Sequence, residues 1–345
     1  MKSVNFVGIN HNIDKRAKIK IDPHFEIIDS NSSEYLIFSP INQKIIKISK
    51  ERFDKLRKKN NLEIDISEEL LQTGLFINKG QTINAKNKKK TLTVVFEGCN
   101  SECKYCYLDG EFKKFDFEFL KKAINQFLNE DEGVRLGFHG GEAQYSREVM
   151  KRLVELANDK FTDIAFYLQT NGAMNPDFTR WVNKNIDSIV VSTDGPEDIQ
   201  NKFRPLRGGR NSFEKVDKAL DILGENKDVT AHTVITNRNL DRIQETIDYF
   251  ESKGIKKMEF APVKETEATK KNNLKRIDLE RYTQETFKVI KDNYERDNQL
   301  VFYGYYQIVQ NKSCMVFHKN SLAVFPENIV GKCLQYTDLL ELGKG

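Results

Sequence analysis

Short apolar runs alternate with amphipathic stretches over much of this 345-residue chain. The runs that predict strands are 92–96, 134–138, 164–168, 188–191, 229–235 and 257–260. The stretches that predict helices are 115–128, 146–158, 177–183, 212–223, 240–252 and 278–294. This alternation favours an α/β fold in which parallel strands are joined by crossover helices. Six strands are too few for a closed eight-stranded barrel.

Three cysteines, Cys99, Cys103 and Cys106, stand directly after the first predicted strand. Their Cys-x3-Cys-x2-Cys spacing supplies one ligand fewer than a structural zinc or four-iron site normally uses. Three thiolates on one loop can hold a cubane cluster and leave one iron open for a substrate or cofactor. The alternative is a zinc site completed by His139 or Cys314, although zinc loops favour paired Cys-x2-Cys spacing.

Three further motifs each close one of the predicted strands. They are Phe138-His139-Gly140-Gly141-Glu142, Gln169-Thr170-Asn171-Gly172 and Ser192-Thr193-Asp194-Gly195-Pro196. In this order and spacing after the cysteines, the motifs resemble the radical SAM superfamily over residues 91–265. The resemblance implies a partial (β/α)6 barrel with its active groups at the carboxyl ends of the strands, where all these motifs lie.

The resemblance also implies a chemistry. Cys99, Cys103 and Cys106 would ligate three irons of a [4Fe–4S] cluster, and S-adenosylmethionine would chelate the fourth iron. Reductive cleavage of S-adenosylmethionine gives a 5′-deoxyadenosyl radical, which removes a hydrogen atom from the substrate. Tyr107 matches a position whose backbone contacts the adenine in the family.

The cofactor-binding residues implied by the resemblance follow the later strands. Gly140 and Gly141 allow a ligand to approach the backbone closely, and Glu142 can pair with the amino group of the methionine moiety. Ser192 is the predicted ribose contact. Arg204 matches the basic position that holds the methionine carboxylate in relatives.

Neighbouring polar residues leave alternatives open. Lys202 and Arg207 lie in the same loop as Arg204 and could hold the carboxylate instead. Asn171 sits at a strand end, where it could line the cofactor. His139 is predicted to be packed or hydrogen-bonded rather than to act as a base or a ligand.

The predicted core is flanked by an amino-terminal region and a linker. Residues 1–78 combine strand-like runs with two predicted helices and resemble the small peptide-binding modules of peptide-modifying radical SAM enzymes. A leader-peptide recognition role and a purely structural cap are equal alternatives for this module. Residues 79–90 are polar and predict a linker, and residues 91–297 form the predicted radical SAM core.

Residues 298–345 are predicted to form a truncated extension. The segment contains Cys314 and Cys333 and resembles the start of a SPASM or twitch extension, which binds auxiliary iron–sulfur clusters. No cysteine follows Cys333, so a full ligand set is missing from this sequence. The two cysteines either help to hold an auxiliary cluster or are buried without a ligand role.

Composition restricts the class of protein. No run of eighteen apolar residues predicts a transmembrane helix, and the amino terminus lacks the apolar core of a secretory signal. A net charge of +4 is too small to indicate nucleic-acid binding. Free cysteines and an oxygen-sensitive cluster favour the cytoplasm. We therefore expect neither a nucleic-acid partner nor a membrane partner.

Residues 192–213 most resemble radical SAM enzymes that modify peptides or proteins. The first hypothesis is a maturase that abstracts hydrogen from a ribosomally made precursor peptide and produces a cross-link, a thioether or an epimerised residue. Its partners would be the peptide or protein substrate and a reductant such as flavodoxin or ferredoxin. The alternative enzyme is an anaerobic sulfatase maturase that forms formylglycine. The alternative outside enzymes is an iron–sulfur redox sensor or a peptide-binding scaffold.

Overall fold

The computed structural model describes residues 3–5, 19–21, 26–30, 33–39, 44–51, 53–54, 76–78, 90–108, 112–128, 133–224, 228–293, 295–302, 321–326 and 329–331. The strands are β1 (Ser3–Asn5), β2 (Ile19–Ile21), β3 (Glu26–Ser30), β4 (Glu34–Ser39), β5 (Lys44–Ser49), β6 (Phe76–Asn78), β7 (Lys90–Phe96), β8 (Val134–Gly140), β9 (Ile164–Thr170), β10 (Ser188–Ser192), β11 (Val229–Ile235), β12 (Lys257–Pro262), β13 (Gln299–Phe302), β14 (Ser321–Phe325) and β15 (Ile329–Gly331). The helices are α1 (Phe117–Phe127), α2 (Arg147–Lys160), α3 (Pro176–Asn185), α4 (Glu197–Phe203), α5 (Phe213–Gly224), α6 (Ile243–Ser252), α7 (Glu267–Lys271) and α8 (Leu279–Asn293). All six predicted core strands are confirmed, as β7 to β12.

The chain divides into two compact units. The amino-terminal unit contains Met1–Ala85, Met258–Pro262 and Ile277–Ser313, and the core unit contains Lys86–Lys257, Val263–Arg276 and Cys314–Gly345. The predicted core therefore contributes residues to both units. The predicted boundaries at residues 78, 90 and 297 stay predictions.

In the core unit, the strands lie in the order β11-β10-β9-β8-β7-β14-β15. Neighbouring strands from β7 to β11 are parallel, β14 is parallel to β7, and β15 is antiparallel to β14. Helices α1, α2 and α3 each connect two neighbouring parallel strands. The predicted α/β fold is confirmed. Strand β14 belongs to the predicted carboxy-terminal extension and continues the sheet beside β7.

The parallel strands pack one face against the helices. Phe96 on β7 and Phe138 on β8 are fully buried there, with their rings stacked at 6.1 Å between centroids. The buried residues of α2 recur at the three- and four-residue spacing of a helix face: Met150, Leu153, Val154 and Ala157. This packing fixes the ends of the strands, where the predicted motifs lie.

The helix that follows the Gln169–Gly172 motif begins at a defined cap. Asn175 accepts a hydrogen bond from the Phe178 backbone N–H at 2.8 Å, and Pro176 occupies the first helical position. Because the cap fixes the start of α3, it also restricts the turn that leaves β9. No helix in the described part of the chain is long and apolar enough to cross a membrane.

In the amino-terminal unit, the described strands form antiparallel groups. Strands β1, β5, β4 and β3 make a four-stranded sheet in that order, and β2 pairs with β6. Strands β4 and β5, two of the strand-like runs predicted within residues 1–78, pair with each other. The two helices predicted for this region fall mostly outside the described residues.

Candidate active site

The three cysteines lie on the loop that follows β7, called here the cysteine loop (residues 98–108). The backbone of this loop pairs with residues 203–207, which follow α4. Three hydrogen bonds of 2.8–2.9 Å join the two segments: Glu102 N to Pro205 O, Lys104 N to Phe203 O, and Arg207 N to Asn100 O. The cysteine loop therefore takes its shape from a segment far along the chain.

The thiols are half-buried and influence one another electrostatically. Burial raises the pKa of Cys99 to about 11 and that of Cys103 to about 12. Electrostatic repulsion from Cys106 also raises the pKa of each of these two thiols. Buried thiols of this kind become thiolates when a bound metal supplies positive charge, so the loop suits a metal-containing group.

The arrangement fits a cluster better than a single metal ion. No three His, Cys, Asp or Glu side chains of the described residues are grouped closely enough to hold one ion. A zinc ion needs all its ligands within about 2.3 Å of one point. A cubane cluster binds each thiolate to a different iron and needs no such convergence. The three thiols therefore suit a cluster, and Cys314 lies outside the described residues.

Two glycines join the end of β8 to the cysteine loop. Gly140 has a φ of +101°, and a Cβ atom there would lie 2.3 Å from the Phe96 carbonyl oxygen. A Cβ atom on Gly141 would lie 2.1 Å from the Gly98 carbonyl oxygen. Only glycine permits this approach. It lets Gly141 N donate to Phe96 O at 2.7 Å and Glu142 N donate to Gly98 O at 2.8 Å.

The Glu142 carboxylate is buried, with an exposed fraction of 1%. It accepts hydrogen bonds from Thr170 Oγ1 at 2.8 Å and from Asn171 N at 2.8 Å, and a longer one from Gln144 N at 3.4 Å. Burial raises the pKa of this carboxyl, and the three hydrogen bonds lower it by less. In the described residues no Lys, Arg or His forms an ion pair with Glu142. This is an acidic group with no counter-charge.

A second buried carboxylate, Asp194, follows β10. Arg204 Nε lies 3.0 Å from Asp194 Oδ1, an ion pair without the alignment of a hydrogen bond. The Tyr105 hydroxyl donates to Asp194 Oδ2, and Val234 N donates to Asp194 Oδ1 at 3.2 Å. Tyr105 stands between the second and third cysteines. Asp194 therefore anchors the cysteine loop.

Arg204 has two Nη donor atoms besides the Nε atom that pairs with Asp194. Its guanidinium carbon lies 5.1 Å from the centre of the Tyr105 ring. Burial lowers the pKa of Arg204, but the charges of Asp194 and other neighbours raise it by more, so the net shift is upward. The structure describes no hydrogen bond or ion pair of its two Nη atoms. The predicted role of Arg204 stays a prediction.

The open face of the sheet carries a row of polar side chains on four adjacent strands. Gln169 donates to Ser192 Oγ at 3.1 Å. Ser192 lies opposite His232 in the β10–β11 register. Burial lowers the pKa of His139 and of His232 to about 4, so both histidines are neutral at pH 7. His139 Nδ1 is buried without a hydrogen-bond partner among the described residues, so the expectation of a packed or hydrogen-bonded histidine stays a prediction.

The remaining site residues of the sequence analysis are more dispersed. Tyr107 is 45% exposed. Arg207 Nε donates to the Cys99 carbonyl oxygen at 2.7 Å, and the Lys202 ammonium lies 5.4 Å from the centre of the Phe203 ring. Cys333, like Cys314, lies outside the described residues. The predicted ligand roles of all these residues remain untested.

The contacts of several residues that build the site were not predicted from the sequence, and Asn171 was expected only to line the cofactor. Thr170 and Asn171 hold Glu142, and Tyr105 pairs with Asp194. The available signal was their position, since all of them lie within or beside the motifs at strand ends. Which neighbour each side chain contacts depends on loop conformation, which residue spacing does not specify.

Comparison with known proteins finds a family match within the core. Residues 93–250 match the Radical SAM superfamily. A cysteine-type anaerobic sulfatase-maturating enzyme of Clostridium perfringens is 26% identical over 222 residues, which cover 59% of this chain and 60% of that enzyme. The chain spans 62% and 60% of the length of two curated relatives that it matches.

Solved structures share the fold. The structure of anSMEcpe with bound AdoMet (S-adenosylmethionine) is 20% identical, with a TM-score of 0.59 and coverage of 72% of each chain. Streptococcus suis SuiB bound to S-adenosylmethionine is 14% identical, with a TM-score of 0.55 and coverage of 91% of this chain and 82% of SuiB. At these identities the likeness shows the fold alone. It confirms the fold drawn from the sequence, and the match over residues 93–250 supports the resemblance to the radical SAM superfamily.

Proposed function

We infer, from a radical SAM domain that spans residues 93–250, that this chain is an enzyme that cleaves S-adenosylmethionine reductively and acts on a peptide or protein. When bound, a [4Fe–4S] cluster and S-adenosylmethionine supply a hydrogen-abstracting radical, and the protein orients and shields them. Cys99, Cys103 and Cys106 would hold the cluster. The observation that carries the inference is the buried carboxylate of Glu142, which has no counter-charge among the described residues. The backbone N–H of the same residue is hydrogen-bonded to the cysteine loop.

The charges beside the cysteine loop match those of an α-amino acid. Glu142 acts electrostatically on Cys99, and Arg204 acts on Cys103. The methionine moiety of S-adenosylmethionine carries one ammonium and one carboxylate. Glu142 would accept the ammonium, and the two Nη atoms of Arg204 would donate to the carboxylate. Ser192, on the open face of the sheet, would contact the ribose.

The proposal of a peptide or protein substrate draws on similar proteins. SuiB has been solved with the precursor peptide SuiA, and anSMEcpe with a peptide named Cp18Cys. In this chain, β1 and β3 are the outer strands of the described four-stranded sheet. An outer strand can pair with an extended peptide, which supports a leader-peptide role for residues 1–78. Maturation of a precursor peptide is the first candidate reaction.

Formylglycine formation on a sulfatase is the second candidate reaction. The observation that favours it is the 26% sequence identity to the sulfatase-maturating enzyme of Clostridium perfringens over 222 residues. Mass spectrometry of peptides incubated with the enzyme separates the two reactions. Oxidation of one Ser or Cys side chain would favour the sulfatase-type reaction, and a cross-link or epimerised residue would favour precursor-peptide maturation.

The proposed activity is tested anaerobically with reconstituted protein. We expect about four irons per chain, as in one [4Fe–4S] cluster, and formation of 5′-deoxyadenosine once a reductant and S-adenosylmethionine are added. Cys103→Ala should abolish both cluster uptake and cleavage. Iron uptake without cleavage under any reducing condition would contradict the enzyme and leave the redox sensor or scaffold.

Glu142→Gln tests the binding step separately. Loss of the buried charge should weaken S-adenosylmethionine binding about 100-fold, the ratio expected for a charge-assisted hydrogen bond of about 3 kcal/mol. Equilibrium dialysis with the reconstituted protein measures this ratio. Glu148→Gln is the matched control, because Glu148 is close in sequence but exposed, and its affinity should equal that of the wild type. Equal affinities for all three proteins would remove Glu142 from the cofactor site.

A further inference from the structure

Asn171, the residue after β9, contacts both sides of the proposed active centre. Its backbone N–H donates to Glu142 Oε2 at 2.8 Å. Its side-chain Nδ2 lies 2.6 Å from Asn100 Oδ1, 3.0 Å from Ser101 Oγ and 3.4 Å from Cys99 Sγ. One residue therefore holds the carboxylate through its backbone and the cysteine loop through its side chain.

The orientation of the Asn171 amide is fixed by a neighbouring backbone group. Ala173 N donates to Asn171 Oδ1 at 2.9 Å, which closes an Asx turn. A backbone N–H can only donate, so the atom that it faces must be the oxygen. Nδ2 therefore points to the cysteine loop. Asn100 Nδ2 donates in return to the Ala173 carbonyl oxygen at 3.0 Å, which ties the two loops together a second time.

The Nδ2 contact with Cys99 Sγ has a consequence for redox chemistry. One-electron reduction adds negative charge to a cluster and its sulfur ligands, and N–H groups that face those sulfurs stabilise the added charge. We propose that Asn171 is a positioning residue that holds the Cys99 segment of the loop and raises the reduction potential of the cluster. This proposal rests on the proposed function, because it presupposes that the three thiols hold a cluster.

Asn171→Ala separates the side-chain role from the backbone role. The variant keeps the backbone N–H to Glu142 and loses all Nδ2 contacts. In a redox titration of the reconstituted protein followed by electron paramagnetic resonance, we expect the ratio of reduced to oxidised cluster at a fixed applied potential to fall about three- to tenfold, the size expected for one lost hydrogen bond.

Asn239→Ala is the matched control. Asn239 makes the same kind of contacts after β11, where its Oδ1 accepts from Thr236 N at 2.7 Å and its Nδ2 donates to Val234 O at 3.0 Å. Its loss should destabilise the fold without moving the potential. An unchanged potential in Asn171→Ala, or an equal shift in both variants, would overturn the proposal.

Two further measurements cover a variant that folds poorly. Asn171→Asp keeps the oxygen that accepts from Ala173 but loses the donor, and it should lower the reduced fraction at least as far. In the metal-free protein, the backbone amides of the cysteine loop should exchange with solvent about two- to tenfold faster in Asn171→Ala, as loss of one hydrogen bond predicts. An unchanged exchange rate in a folded variant would count against the loop-holding role. A wild-type chain that takes up no cluster would overturn the proposed function itself, whereas a wild-type cluster that is insensitive to Asn171 would overturn only this inference.

Discussion

The core unit buries two carboxylates, Glu142 and Asp194, and stabilises them in different ways. Asp194 is fully buried and has an arginine, a tyrosine hydroxyl and a backbone N–H as partners. Glu142 is almost as buried, and its donors among the described residues are all neutral. Burying a charge without a counter-charge costs free energy. This contrast supports the proposal that Asp194 serves the fold and that Glu142 accepts a ligand with its own positive charge.

Asp194→Asn should have the largest effect on the fold. The substitution leaves the Arg204 guanidinium buried without its counter-charge, and we expect a loss of about 3–5 kcal/mol in the free energy of unfolding. Denaturant titration of the metal-free protein measures this loss. The control is Asp198→Asn, which breaks an ion pair with Arg242 that is largely exposed. Water screens that pair, so about 1 kcal/mol or less should be lost. Equal losses would show that burial does not distinguish the two pairs.

Gly140→Ala should come next, because it disturbs the backbone that places Glu142. The residue has a φ of +101°, and the new Cβ would lie 2.3 Å from a carbonyl oxygen. We expect a loss of about 2–4 kcal/mol in the free energy of unfolding from strain and overlap together. Gly208→Ala is the matched control, since its φ is +75° but no atom lies within 4 Å of the added Cβ. It should lose only about 1 kcal/mol. Similar losses would rule out the overlap as the cause.

Much of the core could be predicted from the sequence because its signals are local. Apolar runs located all six core strands, and the motifs marked the strand ends that carry Glu142 and Ser192. The short helices α4 and α7 were missed, because a helix of one or two turns has too few residues to show a periodicity. Strand β14 was missed for a different reason. Its parallel pairing with β7 joins residues 321–324 to residues 91–94, and no local pattern encodes so distant a partner.

The site was only partly predictable for the same reason. The sequence analysis placed Arg204 near the cofactor but did not pair it with Asp194, because that pairing depends on the path of the loop after α4. It considered Asn171 only as a residue that could line the cofactor. The contacts of its side chain depend on a turn fixed by Ala173 and on a loop that begins after β7. Residue types identify the chemistry, and the fold determines the partners.

The pH dependence of stability should distinguish the two carboxylates. Burial holds the pKa of Glu142 above its ordinary value of 4.5 in the folded protein. Between pH 4.5 and the raised pKa of the folded state, the folded chain binds more protons at Glu142 than the unfolded chain does. Stability therefore falls as the pH rises through that window. Glu142→Gln should remove this loss. In metal-free protein, its unfolding free energy relative to the wild type should increase with pH above 4.5 and then level off. A difference that does not vary with pH would contradict the raised pKa.

Thr170→Val should produce the smallest effect and the most specific one. The Thr170 hydroxyl donates to the Glu142 carboxylate at 2.8 Å and lowers its pKa. Its loss should cost about 1–2 kcal/mol of unfolding free energy where Glu142 is ionised, and less where it is protonated, because hydrogen bonds to charged groups are the stronger ones. Thr179→Val is the control, since that buried hydroxyl donates at 2.9 Å to the neutral carbonyl oxygen of Asn175. Its cost should not vary with pH. If the two threonines respond alike, Glu142 carries no charge in the metal-free fold, and the contrast with Asp194 disappears.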